Sequence, residues 1–157
     1  MANIKPIPEG FSTVGIHLTV SDANGFLDFC KRAFGATEIM RMPGPSGKIM
    51  HSEVRIGDTI MMVNDEMPQG GTVKSAKSLG GTPLTISLYV PDADATIAKA
   101  TSAGAQVKMP AQDMFWGDRY GQVSDSFGNV WSIATHKEDV APEEMQRRMQ
   151  KMFSAGH

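Results

Sequence analysis

The stretch that decides the fold occurs twice: HLTVSDANGFLDFCKRAFGATEIMRMP over residues 17–43 and SLYVPDADATIAKATSAGAQVKMP over residues 87–110. Val20 and Asp22 match Val90 and Asp92, Gly35-Ala36 match Gly104-Ala105, and Met42-Pro43 match Met109-Pro110. Further on, Gly57-Asp58 matches Gly128-Asn129. Each pair is separated by about 70 residues, as a duplicated supersecondary unit requires. Four such pairs in order are too many for chance.

Each copy reads the same way. An alternating strand (Thr13 to Val20; Leu84 to Val90) ends in an aspartate suited to cap a helix. The helix (Ala23 to Phe34; Ala93 to Ala103) stops at Gly35 or Gly104, a residue that accepts the left-handed C-terminal conformation. Three strands follow: Thr37 to Met42, Lys48 to Ile56 and Thr59 to Asn64, then Gln106 to Met109, Tyr120 to Asp125 and Val130 to Thr135. Gly-Asp and Gly-Asn dipeptides turn the two hairpins. The predicted organisation is one domain over residues 1–157: module 1 at about 12–64, a linker at 65–82, module 2 at about 83–136 and a C-terminal helix at about 141–153. The linker, DEMPQGGTVKSAKSLGGTP with its Gly, Ser and Lys, shows no periodicity and reads as mobile.

Strand alternation assigns the faces. Ile16, Leu18 and Val20 go under the first helix, and Ile86, Leu88 and Val90 under the second. Gly15, His17 and Thr19, then Thr85, Ser87 and Tyr89, face the other way. The fold class is therefore α+β, two βαβββ modules forming a cup-shaped mixed sheet whose concave, partly polar side suits a ligand.

Composition narrows the function. In 157 residues, 41% hydrophobic and 20% charged, there is enough apolar material for one globular core. A net charge of −2 gives no reason to expect nucleic acid or an anionic membrane as partner. The opening MANIKPIPEG lacks the apolar run of a secretory signal, so the expected location is the cytoplasm. Cys30, the single cysteine, falls on the apolar side of the first helix and is expected to be buried and inert. The 12 methionines read as adaptable core filler, or as the lining of a permissive pocket. The tail APEEMQRRMQKMF places Met145, Met149, Met152 and Phe153 at helical spacing, an amphipathic helix for its own domain or a second subunit.

The paired modules, the HSEVRIGD hairpin at 51–58, VPDAD at 90–94 and FWGDRYGQVSDSFGNVWSIATHKED at 115–139 resemble the PhnB-like branch of the glyoxalase, bleomycin-resistance and extradiol-dioxygenase (vicinal oxygen chelate) superfamily. The resemblance covers roughly Thr13 to Asp139 and implies the two-module fold and a homodimer. Members include lyases, isomerases, dioxygenases and metal-free drug-binding proteins, so it implies no single activity. Enzymes of the superfamily hold a divalent ion with His and Glu at four strand positions. Here those positions carry Gly15, Thr85, Ser132 and, in the first module, Met61. On that basis no cofactor is expected. The alternative is a displaced site in which His17, His51 and Glu53 hold zinc or iron for a lyase, isomerase or dioxygenase.

The leading expectation is a protein that binds a small organic ligand without the usual metal. Trp116 and Tyr120 of WGDRYG offer flat surfaces, Arg119 a two-pronged grip on an anion, and Asp118 a means of orienting it. Arg119 is otherwise expected to pair with Asp118 or Asp125. His17, Tyr89, Gln122 and Ser132 complete the candidate ligand set. If chemistry occurs, His51 or Glu53 is the base and Arg119 the electrophilic partner. Gln122 and Ser124 align with His51 and Glu53 in the repeat, and His136 and His157 read as ordinary surface residues.

Overall fold

The computed structural model describes residues 4–68 and 71–154; His157 lies outside them. The element order is β1 (Ile16–Val20), α1 (Ala23–Phe34), β2 (Thr37–Pro43), β3 (Ile49–Ile56), β4 (Thr59–Asp65), α2 (Ala76–Leu79), β5 (Thr85–Tyr89), α3 (Ala93–Ser102), β6 (Gln106–Asp113), β7 (Asp118–Ser124), β8 (Val130–His136) and α4 (Pro142–Ser154). The fold is α+β: two four-stranded mixed sheets, ordered β1-β4-β3-β2 and β5-β8-β7-β6, each from one βαβββ module. The first strand of each module pairs parallel with its last, and the other pairs are antiparallel. The chain divides into two compact units. One runs to Pro83 and takes in Ser126–Asn129; the other comprises Leu84–Asp125 and the chain from Val130 onward.

Local chemistry sets the helix limits. Asp22 accepts a hydrogen bond from Gly25 N at 3.0 Å, and Asp92 accepts one from Ala95 N at 2.9 Å, so each helix starts on a side-chain cap. Gly35, at φ 64°, ends α1 by donating back to its last turn. A second fastening repeats with different atoms. Buried Asp65, at the end of β4, accepts from Ala23 N at 2.9 Å and from Ile49 N at 2.7 Å, tying α1 and β3 to β4. Thr135 of β8 accepts from Ala93 N at 2.8 Å. Under α1 lie Phe26, Leu27, Phe29 and Cys30, closed by Val20, Val54 and Val63. Under α3 the core is Ile97, Val123, Trp131 and Ile133, and the Trp131 indole N–H donates to buried Asp125 at 2.9 Å.

Several sequence expectations need correction. β1 begins at Ile16 rather than Thr13. β6 passes through Pro110 to Asp113, because it is an edge strand whose register shifts between Met109 and Gln112, where a missing N–H is tolerated. The strand expected from Tyr120 begins at Asp118, because the chain turns earlier: Gly117 N donates to Met114 O at 3.0 Å. Gly117 sits at φ 100°, and a Cβ there would run into the Glu138 carbonyl oxygen, so only glycine fits. The linker is not featureless. Ser75 caps the one-turn α2, and Glu66 accepts from Ser75 N at 3.0 Å and from Ser78 Oγ at 2.7 Å. The Ser75 hydroxyl also donates to this carboxylate, and it, then the Ser78 hydroxyl and the Ser75 N–H, lower the Glu66 pKa to about 2.

Candidate functional site

In each unit the helix covers one face of the sheet, and alternation sends the remaining side chains to the opposite, open face. On the first sheet that face carries His17 of β1, Met62 of β4 and Glu53 of β3 in one cross-strand row, since His17 lies opposite Met62 and Met62 opposite Glu53. His51 follows two residues before Glu53; its Nε2 stands 3.4 Å from Glu53 Oε1. The His17 and His51 rings meet edge to face, 6.1 Å between centroids. Beside them opens a pocket of about 410 Å³ lined by His17, Thr19, Asn64, Met67 and residues 71–73. Thr19 Oγ1 donates to Asn64 Oδ1 at 3.3 Å, and Asn64 Nδ2 to Asp65 O at 2.9 Å, so the two polar lining groups are held in place. Asn64 was missed from the sequence; its parity with Met62 on β4 was the available signal.

The open face of the second sheet centres on Asp118, whose side chain is 5% exposed. Its Oδ2 accepts from the Tyr89 hydroxyl at 2.9 Å and from Trp116 Nε1 at 3.0 Å, and its Oδ1 meets His136 Nδ1 at 2.8 Å. Burial pushes the Asp118 pKa up. The hydrogen bonds from His136, Tyr89 and Trp116 outweigh it, and the carboxyl titrates below its ordinary range. His136 places Nε2 2.9 Å from Asp139 Oδ1 as well. A ring with carboxylates at both nitrogens donates twice only as imidazolium, and the bonds to Asp118 and Asp139 raise the His136 pKa. His136 is exposed, as expected of a surface residue, but its link to Asp118 was not anticipated. The Tyr89 pKa is raised, chiefly because its hydroxyl donates to Asp118.

Around Asp118 the rows are regular. Tyr89 and Tyr120 both lie opposite Ala134, one on each side of β8. Ser87 and Gln122 both lie opposite Ser132, and Ser132 Oγ donates to Ser87 Oγ at 2.8 Å. Gln122 Nε2 donates to the Tyr120 hydroxyl at 2.7 Å. Trp116 and Tyr120 meet edge to face at 5.6 Å.

Arg119 is elsewhere. Next to Asp118 on β7, it points to the opposite, helix-bearing side, where it grips Asp94 of α3 (Nη2 to Oδ1, 2.9 Å) and Asp113 of β6 (3.2 Å). The expected pairing with Asp118 or Asp125 is replaced by these two, because neighbours on a strand face opposite ways. Both aspartates, Asp94 first, raise the Arg119 pKa further.

The register also corrects the internal alignment. Ile16 lies opposite Met61 and Ile86 opposite Trp131, so Met61 corresponds to core Trp131 and is itself 2% exposed. The counterpart of Ser132 is Met62, not Met61. By the same pairing Glu53 corresponds to Gln122 and His51 to Tyr120, rather than to Ser124 and Gln122. The turns explain the slip: Ile56 pairs directly with Thr59, whereas Ser124 pairs with Val130 across a longer loop.

The metal positions are unsuited after this correction too. A side-chain-free glycine, a thioether and two neutral hydroxyls (Gly15, Met62, Thr85 and Ser132) do not make the nitrogen and carboxylate set that a divalent ion takes. Among the described residues no group of three or more His, Cys, Asp or Glu side chains converges to hold an ion, the His17, His51 and Glu53 set included.

Two mixed sheets, each from a βαβββ module with a helix on one face, define a class that comparison with known proteins makes explicit. Residues 12–133 match the family model for the Glyoxalase/Bleomycin resistance protein/Dioxygenase superfamily, and the chain belongs to that superfamily. It is 46% identical over 135 residues to the uncharacterized protein Mb0911c of Mycobacterium bovis, covering 85% of this chain and 89% of that protein. Among solved structures it is similar to TioX from Micromonospora sp. ML1, with TM-score 0.64 and 29% identity over 80% of this chain and 98% of that one. The At5g48480 product of Arabidopsis thaliana is similar at TM-score 0.62 and 30% identity, over 79% and 98%.

Proposed function

We propose that this protein binds a small organic ligand on the open faces of its sheets and does so without a divalent centre at the superfamily's usual positions. The observation that carries the reading is the pocket of about 410 Å³ whose polar groups, His17, Thr19 and Asn64, stand beside the His51 and Glu53 pair. That volume falls within the range of small-molecule sites. On the second sheet Tyr89, Trp116, Asp118, Tyr120, Gln122 and Ser132 form the corresponding lining. Arg119 is left out, since its guanidinium is already spent on two aspartates. The residues at the usual metal positions support the metal-free part. Elemental analysis of protein purified without chelator tests it: less than a tenth of an equivalent of zinc, nickel, manganese or iron is expected, and one equivalent bound through His17, His51 and Glu53 would restore the metal-dependent lyase, isomerase or dioxygenase reading.

One observation favours turnover as a second reading. A histidine 3.4 Å from a carboxylate is a proton-transfer pair, suited to abstraction beside a carbonyl. Deuterium from solvent would then enter the bound ligand in the parent protein and not in His51→Gln; labelling unaffected by that substitution would end this reading. A homodimer belongs to the proposal as well, supported by the exposed Met149, Met152 and Phe153 of α4. Sedimentation equilibrium is expected to return twice the chain mass.

A further inference from the structure

We propose that Tyr89, Trp116 and Tyr120 form a preorganised platform for an uncharged, flat aromatic portion of the ligand, with Asp118 as the buried residue that positions it. The inference rests on the binding reading above and names the ligand class for the second sheet.

Tyr89 is 70% exposed, yet its ring is not free to swing, because its hydroxyl is tied to a carboxylate that is itself buried. Trp116 is fixed to the same oxygen and makes edge-to-face contacts with Phe115, at 5.0 Å, and Tyr120, at 5.6 Å. Gln122 holds the Tyr120 hydroxyl. Between the two tyrosines in the cross-strand row stands Ala134, whose small side chain leaves the rings as the bulk of that row. Tyr89 is exposed and Trp116 and Tyr120 are half-buried; aromatic faces held in advance lose little entropy when a ligand stacks on them.

The polar groups argue for the ring faces as the recognition element. The Tyr89 O–H, the Trp116 N–H, the Ser132 O–H and a Gln122 N–H are all donated within the protein. A sugar, which needs donors and acceptors in number, finds most of the donors taken. A quaternary ammonium needs an unanswered negative charge behind the rings, whereas both Asp118 oxygens are engaged, one of them by His136. A neutral planar ring asks only for the surfaces that remain.

The test uses 2-naphthamide, its fully saturated decalin counterpart and tetramethylammonium, with affinities read by ligand-observed NMR on the intact chain. Naphthamide is expected to bind at least tenfold tighter than the decalin amide. Tyr89→Leu is expected to weaken it about tenfold or more, and Tyr89→Phe, which keeps the ring and loses the tether, by less. Asp118→Asn is expected to weaken naphthamide while raising the mobility of the Trp116 ring, seen in fluorescence anisotropy. Equal binding of the saturated amide, equal loss in Tyr89→Phe and Tyr89→Leu, or preference for tetramethylammonium overturns the platform. Thermal melts of the exposed-site Tyr89 variants confirm folding. Polar fragments that bind through His17 and Asn64 while naphthamide does not bind would sink this inference and leave the broader reading standing; a chain that retains no fragment at all removes both.

Discussion

Asp118 serves three donors with two oxygens, and one of those donors carries a charge that depends on pH. His136 has a raised pKa from Asp118 and Asp139. A histidine whose folded pKa lies above its unfolded value of 6.5 contributes its full stabilisation below that value and loses it as pH rises through the folded pKa. The urea midpoint should therefore fall from pH 6 toward pH 9 in the parent protein more than in His136→Gln. Identical pH profiles for the two would show that the imidazolium does not support the fold. This link was hidden in the sequence because Asp118 and His136 are 18 residues apart and meet only through the β7–β8 register. Alternation along β7 separates Arg119 from Asp118. Alternation from the true strand start would have placed Asp118 and Arg119 on opposite faces; a strand begun at Tyr120 leaves both outside it.

At the scale of elements, legibility followed local chemistry. The limits of α1 were readable because Asp22 and Gly35 mark them with capping groups that act within one turn. β6 was cut short at Pro110, since nothing local announces that an edge strand will bulge and continue. α2 escaped because four residues carry no periodicity; its order comes from Glu66, Ser75 and Ser78. α1 is held by burial: Phe26 and Leu27 are both 0% exposed. Leu27→Ala should cost about 2–5 kcal/mol, the range for a buried leucine whose cavity only partly collapses. Chemical denaturation measures this. A loss below about 1 kcal/mol would mean that α1 is not fastened through this face.

At the scale of the molecule, the repeat made the two-module fold readable, and the family match over residues 12–133 agrees with it. The open faces were readable only as parity. Their pairing across strands was misassigned, because an alignment anchored on Gly57 and Gly128 cannot show that the second hairpin turn is longer. Duplication preserved the scaffold while the side chains diverged: His51 stands where the second sheet has Tyr120, and Glu53 where it has Gln122. Asp65 and Thr135 perform one fastening with different chemistry.

Small organic molecules are expected to bind these faces through the chain's own side chains. A ligand-observed NMR screen of uncharged polar fragments against chelator-treated protein, repeated on His17→Ala with Asn64→Ala, reads this on the first sheet. Fragments are expected to bind the treated parent protein as tightly as the untreated one and to lose at least fivefold in the double variant. Binding that vanishes on chelation and returns with zinc, manganese, nickel or iron would contradict it.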